Sequence, residues 1–275
     1  MMFSIYNSII EKQRPLVMGI LNITPDSFSD GGESFGLSSA LERLHCLENE
    51  CADIIDIGAC STAPMNELAS CEEELKRLSV LPELVKATNI PLSIDTFRPE
   101  VAEYALNCGV KIVNDESGSF SEEMARVVKE HNASWVFMHT GGKTSKEIKE
   151  YQNGVIKDIL DYFEECKIKA TMFGINPDNL IFDFGIGFGK SREDDLTLLR
   201  ECERIADLYP LLVGVSRKRI IGEITNEQDS KNRVAGSVAA ATLAAIKGAK
   251  ILRVHDVKET VDAMNIVRAI AKGYI

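Results

Sequence analysis

The chain has 275 residues, 45% of them hydrophobic and 27% charged, which is enough apolar material for a full core and too much for disorder. Its formal net charge of −11 comes with no basic cluster, which excludes a polyanion-binding surface and with it nucleic acid as a partner. The seven cysteines (Cys46, Cys51, Cys60, Cys71, Cys108, Cys166 and Cys202) form no CxxC pair and no zinc spacing, so they are expected as reduced thiols in a cytoplasmic protein. No apolar run approaches the ~18 residues of a membrane span. Met1 to Arg14 lacks the pattern of a secretory leader and is expected as a lead-in to the fold.

Short apolar runs alternate with amphipathic segments along the whole length. Val17 to Leu21 reads as a buried strand that empties at Asn22 into a polar loop with Pro25 and ends at Gly31-Gly32. Ser38 or Ser39 is placed to cap a helix carrying Leu41, Leu44 and Leu47. Ile54 to Gly58 is a second strand, broken by Asp56. A loop from Ala59 to Ala69 precedes a helix with Leu75, Leu78, Leu81 and Leu84 on one face. Leu92 to Asp95 follows, then a helix opened by Pro99 and ended near Gly109. Lys111 to Asp115 precedes a helix from Ser121, and Ser134 to His139 precedes a long one over roughly Gln152 to Phe173. The remaining strands are Leu180 to Asp183, Leu211 to Ser216 and Ile251 to His255. Asp256 and Glu259 form a capping pair for the last helix.

Eight β-then-α units imply parallel pairing and fit a (β/α)₈ TIM barrel, with 1–275 as a single domain and 1–14 as its lead-in. An open doubly wound sheet is the competing architecture, and it lacks a nucleotide fingerprint here. The strand ends carry Asn22, Asp56, Asp95, Asn114, His139, Asp183, Ser216 (with Arg217 and Lys218 just beyond), and Arg253 with His255. In a barrel these converge on the C-terminal mouth. Asp115 and Asp256 are read instead as structural groups. Acceptors and amides on the middle strands suit the edge of a flat heterocycle bearing N–H donors. Arg253 and His255, two positions apart, share a face and suit phosphate.

Two other leads fail. Gly185 to Ser191 resembles a phosphate loop, but a Walker motif needs glycine where Phe184 stands, and a dinucleotide fingerprint needs it at Lys190. The segment is read as a flexible loop over the mouth. His45, His131, His139 and His255 have no zinc spacing. A hard cation such as Mg²⁺, held by oxygen ligands beside Asn22, suits the composition better.

The stretch from Gly19 to Gly32 resembles the opening signature of the dihydropteroate synthases. The resemblance continues through Ile54 to Gly58, Ser93 to Thr96, Val113 to Asp115, Phe137 to His139, Gly187 to Lys190, Ser216 to Lys218 and Arg253 to Val257. It implies a pterin-binding barrel that joins a dihydropterin diphosphate to p-aminobenzoate with loss of pyrophosphate. Carried over by motif, Asp95, Asn114, Asp183 and Lys218 would hold the pterin, with Asp56 and Met138 nearby. Asn22 would ligand Mg²⁺ at the diphosphate. Arg253 and His255 would bind the leaving diphosphate, making them the catalytic cations together with Lys218. Thr62, Pro64, Phe28, Phe188 and Ser216 would border the p-aminobenzoate pocket. The family's habit of pairing through late helices implies a homodimer.

Departures are concentrated in the second loop. The family runs Gly-Glu-Ser-Thr-Arg-Pro-Gly there, and this chain has Ala59-Cys60-Ser61-Thr62-Ala63-Pro64-Met65. Ala63 stands where the resemblance implies an arginine contacting substrate and diphosphate, and loss of such a transition-state charge contact costs about 10²–10³ in rate. Glu116 stands where an aliphatic residue is usual, Phe184 where proline is, Thr140-Gly141-Gly142 where Met-Gln-Gly is, and Arg219 where serine is. A pterin-binding paralogue with weak or no synthase activity and a folate-dependent methyltransferase are the alternatives on the same barrel.

Overall fold

The computed structural model describes residues 5–23, 32–60, 69–141 and 148–272. Eight parallel strands close into a barrel in chain order: β1 (Leu16–Asn22), β2 (Ile54–Gly58), β3 (Leu92–Asp95), β4 (Ile112–Asp115), β5 (Ser134–Met138), β6 (Leu180–Asp183), β7 (Leu211–Val213) and β8 (Ile251–Val254), with β8 pairing back onto β1. Around them lie α1 (Ile5–Lys12), α2 (Gly32–Asn49), α3 (Cys71–Arg77), α4 (Leu81–Ala87), α5 (Pro99–Cys108), α6 (Glu122–His131), α7 (Val155–Phe173), α8 (Arg192–Arg200), α9 (Cys202–Ala206), α10 (Arg219–Thr225), α11 (Val234–Ile246) and α12 (Val257–Lys272). The TIM barrel expected from the sequence is therefore the fold. No helix among the described residues is long and apolar enough to cross a membrane.

The period of two along each strand sorts residues into three groups. Outward positions such as Val17, Ile55, Ile94, Val113, Trp135, Phe182, Val213 and Leu252 pack against the helices in the main core. Inward positions low in the barrel form a separate apolar floor from Leu16, Met18, Ile54, Ile112, Val136, Ile181, Leu212 and Ile251, closed from below by Ile5 of α1. Each such side chain contributes about 1.5–3 kcal/mol on burial. Two residues further along the same strands, the inward positions become Asp56, Asn114, Met138, Asp183, Gly214 and Arg253. One set of strands thus builds a dry floor and a polar mouth.

The lead-in carries structure of its own. It folds as α1 and is tied to the barrel through Asp53, whose buried carboxylate accepts from Arg14 (Nη1 2.6 Å, Nη2 3.2 Å), from the Val17 amide (2.9 Å) and pairs with Lys12 (2.8 Å). α2 begins at Gly32, so Ser38 and Ser39 lie inside it and do not cap it. The helix expected after the second loop is broken into α3, a 3₁₀ turn at Leu78–Val80 and α4. Pro82 cannot donate an amide within a helix and sits in the first turn of the new one. α7 starts at Val155, after Gly154 with φ of +81°. β7 and β8 stop at Val213 and Val254, which leaves Ser216 and His255 on the following loops.

Asp53→Ala leaves the buried Arg14 guanidinium and the Val17 amide without their acceptor, and should cost ~3–5 kcal/mol in urea unfolding. A loss under ~1 kcal/mol would mean that α1 is not anchored through this residue.

Candidate active site

The polar ends of the strands enclose a cavity of about 200 Å³ at the C-terminal mouth. Of the residues singled out from sequence, Asn22, Asp95, Asn114, Met138, Asp183, Phe188, Lys218, Arg253 and His255 all line it, together with Ile20, Cys60, Glu116 and Gly214. Phe28, Thr62, Pro64 and Ala63 lie outside the described residues.

Arg253 organises the floor of this cavity. Its Nε donates to Asp56 Oδ2 at 2.6 Å and its Nη2 to Asp95 Oδ2 at 2.5 Å. Asp56 is fully buried and also accepts from Asn114 Nδ2 at 3.0 Å. It therefore acts through Arg253 and Asn114 and does not line the cavity itself. Burial acts against the Arg253 cation, but Asp56 and Asp95 outweigh it and raise its pKa. Asp95 is held well above the usual carboxylate range, first by loss of solvent and then by the negative charge of Glu116, with Arg253 opposing. An additional carboxylate at position 116 thus raises the acid density of the mouth.

On the opposite side Asp183 accepts the Gly185 amide at 2.7 Å. Burial raises its pKa against the pull of Lys218. Burial lowers Lys218, with Asp183 opposing. Lys218 Nζ donates to Ile186 O at 2.6 Å and stands 4.7 Å from the centroid of the Phe188 ring, a cation–π contact that fixes both.

The loop carrying Phe188 is pinned, contrary to the expectation of a flexible segment. Lys190 is 2% exposed, and its Nζ donates to His139 O (3.0 Å), Gly185 O (3.0 Å) and Phe188 O (3.2 Å). Burial pulls it down to about 7. The close packing requires glycine: a Cβ on Gly185 would stand 2.1 Å from His139 O, and one on Gly189 2.6 Å from Gly141 Cα. Sequence reasoning missed this lysine. Its signal was a single long donor set among glycines whose carbonyls need partners.

His139 is a correction. Met138 takes the inward position of β5, so the next side chain turns outward. There His139 is buried, with Nε2 3.0 Å from Asp158 Oδ2 on α7 and its ring edge-on to Tyr162 at 5.3 Å. Asp115 also turns outward, accepting from Trp135 Nε1 at 3.2 Å and the Ser117 amide at 2.8 Å, and Asp256 pairs with Arg217. Both are the structural groups expected. Ser216 contacts His255 and does not line the cavity. His255 is brought down to about 4 by burial, then by Arg217 and Arg253. It is neutral at pH 7, so Arg253 and Lys218 carry the positive charge expected of the three.

The family model described as pterin binding enzyme matches residues 18–255. A curated dihydropteroate synthase from Synechocystis is 41% identical over 94% of this chain and 91% of its own length. That of Escherichia coli is 39% identical over 94% and 93%. The chain belongs to the dihydropteroate synthase family. Among solved structures, the Xanthomonas albilineans dihydropteroate synthase with 4-aminobenzoic acid superposes with a TM-score of 0.87 at 42% identity, covering 94% of this chain and 93% of that one. The same organism's enzyme in complex with 7,8-dihydropteroate gives 0.82 at 37%, covering 94% and 93%. The barrel of this chain therefore has the overall shape of solved dihydropteroate synthases.

Lys190→Met keeps most of the unbranched side chain and removes the donors, leaving three carbonyls to find water. Hydrogen exchange over 185–190 should accelerate at least tenfold, while β5 and β6 stay slow. Unchanged exchange would show that the glycines alone hold the loop.

His139 also sets a pH dependence. Its pKa is about 4 in the fold against 6.5 free, so the unfolded chain binds more protons between those values. The stabilisation is present above pH 6.5 and lost as pH falls toward 4. His139→Gln should flatten the change in urea midpoint across that window relative to the parent. Parallel profiles would contradict a buried neutral imidazole.

Proposed function

We propose that this mouth condenses 6-hydroxymethyl-7,8-dihydropterin diphosphate with p-aminobenzoate, giving 7,8-dihydropteroate and pyrophosphate. The supporting observation is the single cavity that gathers Asp95, Asn114, Asp183 and Lys218 beside Arg253 and His255 in a chain of this family. The pterin edge offers N–H donors to Asp95, Asp183 and Asn114, and a carbonyl to Lys218. Asp95 is already engaged by Arg253, so an arriving pterin competes for that carboxylate and frees guanidinium donors for the diphosphate. Arg253 then neutralises charge that grows on the leaving oxygen as the methylene C–O bond breaks. The aromatic amine supplies its lone pair to the same carbon, and its proton passes to solvent or to the departing diphosphate. Phe188 would flank p-aminobenzoate, with Phe28, Thr62, Pro64 and Ser216 in its surroundings.

The donor set fits Mg²⁺ as a companion of the diphosphate. Asn22 offers one neutral amide oxygen at the mouth, and among the described residues no group of three His, Cys, Asp or Glu is placed to hold a metal ion. A cation held there beside a diphosphate takes further ligands from phosphate and water, as Mg²⁺ does. When bound it would supply positive charge to the leaving group. Cytoplasmic residence is supported by seven free cysteines. A homodimer is supported by α11, which carries no charged residue and exposes Leu243 and Ile246, and by α12, which packs against it and exposes Ile266 and Ile270.

Purified protein given the pterin diphosphate, p-aminobenzoate and Mg²⁺ should release pyrophosphate only when both substrates are present, with dihydropteroate identified by mass. Pyrophosphate release independent of p-aminobenzoate, or none, would refute the reading. Ile246→Glu should convert a dimer to a monomer in light scattering at micromolar concentration. A monomeric parent would remove the dimer.

A further inference from the structure

Two adjacent residue pairs stitch the loop after β7 to the loop after β8. Arg217 meets Asp256 (Nη2–Oδ1 2.5 Å, Nε–Oδ2 3.1 Å), and Ser216 meets His255. Arg217 takes a left-handed backbone there, with φ of +58°, and its amide donates to Ser237 Oγ at 2.8 Å. A non-glycine residue holds that conformation only where its surroundings fix it. The position of Ser216 is thereby fixed from the next residue along the chain.

Ser216 is buried, and its Oγ has two contacts with the same histidine. The His255 amide donates to it at 3.2 Å, and His255 Nδ1 lies 3.1 Å away. A serine hydroxyl has one proton and two acceptor lone pairs. The amide proton takes one lone pair. Were Nδ1 protonated, Oγ would accept twice and its own proton would have no other acceptor among the described residues. With Nδ1 unprotonated, the hydroxyl proton goes to it, and the Ser216 hydroxyl, the His255 amide and Nδ1 are all paired.

We propose that Ser216 is a positioning residue that donates to Nδ1 and so locks His255 in the tautomer protonated at Nε2. Arg43 on α2 holds the same residue from another side, with Nη2 donating to His255 O at 3.2 Å. The consequence rests on the diphosphate reading of the mouth. A ring fixed in this way offers an anion an N–H, where the other tautomer would offer it a lone pair. His255 then serves the leaving group as a neutral hydrogen-bond donor and not as the acid that protonates it, in keeping with a pKa drawn down to about 4. A neutral imidazole N–H is too weak an acid to give up its proton to a phosphate oxygen.

The test is long-range ¹H–¹⁵N correlation on protein labelled in its four histidines, with His255→Gln used to assign the signal. Native protein should show an unprotonated Nδ1 and a protonated Nε2 at His255. Ser216→Ala should mix the tautomers and weaken inorganic pyrophosphate binding about tenfold, and Ser216→Thr, which keeps the hydroxyl, should restore both. A protonated Nδ1 in the native spectrum would overturn the proposal. So would a Ser216→Ala protein with unchanged tautomer and unchanged pyrophosphate affinity. Should that variant not fold, the native spectrum still decides. The spectrum needs no turnover, so its outcome is separate from that of the synthase reaction.

Discussion

Arg253 lies between Asp56 and Asp95 at the top of the barrel, and the mouth depends on that three-residue charge group. Carboxylates in a partly desolvated cavity repel one another and favour protonation. Here Asp56, Asp95, Glu116 and Asp183 crowd one end of the barrel, with Arg253 and Lys218 as the cations that balance them. A guanidinium can bridge two carboxylates at once through separate N–H groups, which a lysine ammonium does less well. The arrangement holds acceptors in place before a ligand arrives, and the excess of acid over base gives a heterocycle edge rich in N–H donors something to bind. The same balance explains how a strongly acidic chain can still present cations to a diphosphate.

That charge group can exist because the barrel is dry beneath it. Ile54 and Ile251 lie two residues before Asp56 and Arg253 on the same inward faces, and Ile5 closes the floor from the N-terminal side. Two braces define the rim. Lys190 ties the loop after β6 to the end of β5, and the Ser216–His255 and Arg217–Asp256 pairs tie the loops after β7 and β8. Phe188, Lys218 and His255 sit on these braced loops and not on strands. Their placement therefore depends on side chains, Lys190 and Ser216 among them, that do not line the cavity.

The alternation of apolar runs and helical stripes made the barrel legible, and the polar residue at each strand end made the mouth legible. Parity within a strand was legible too: with Asn114 and Asp183 inward, Met138 takes the matching slot on β5 and His139 must face α7. Reading His139 as a mouth residue along with the other strand-end polar groups overlooked that constraint. The capping role of Ser38 or Ser39 failed because helix starts depend on the loop that precedes them, and α2 begins at Gly32. α1 was hidden because a short amphipathic lead-in is stabilised by the barrel floor, which has no local signal. Lys190 was hidden because its three partners are backbone carbonyls, which sequence does not distinguish. Glu116 stood out as a departure, and its place beside Asp95 and Lys218 gives it an electrostatic role that an aliphatic residue could not have.

In the proposed reaction the Arg253 guanidinium passes from Asp95 to the diphosphate as the substrate binds. A crystal structure with the pterin diphosphate bound tests it most directly. The pterin edge should lie on Asp95 and Asp183, with Arg253 still held by Asp56 but with Nη2 moved from Asp95 to a phosphate oxygen. A bound pterin diphosphate with Arg253 unmoved from Asp95, and its phosphates held by other groups, would contradict it.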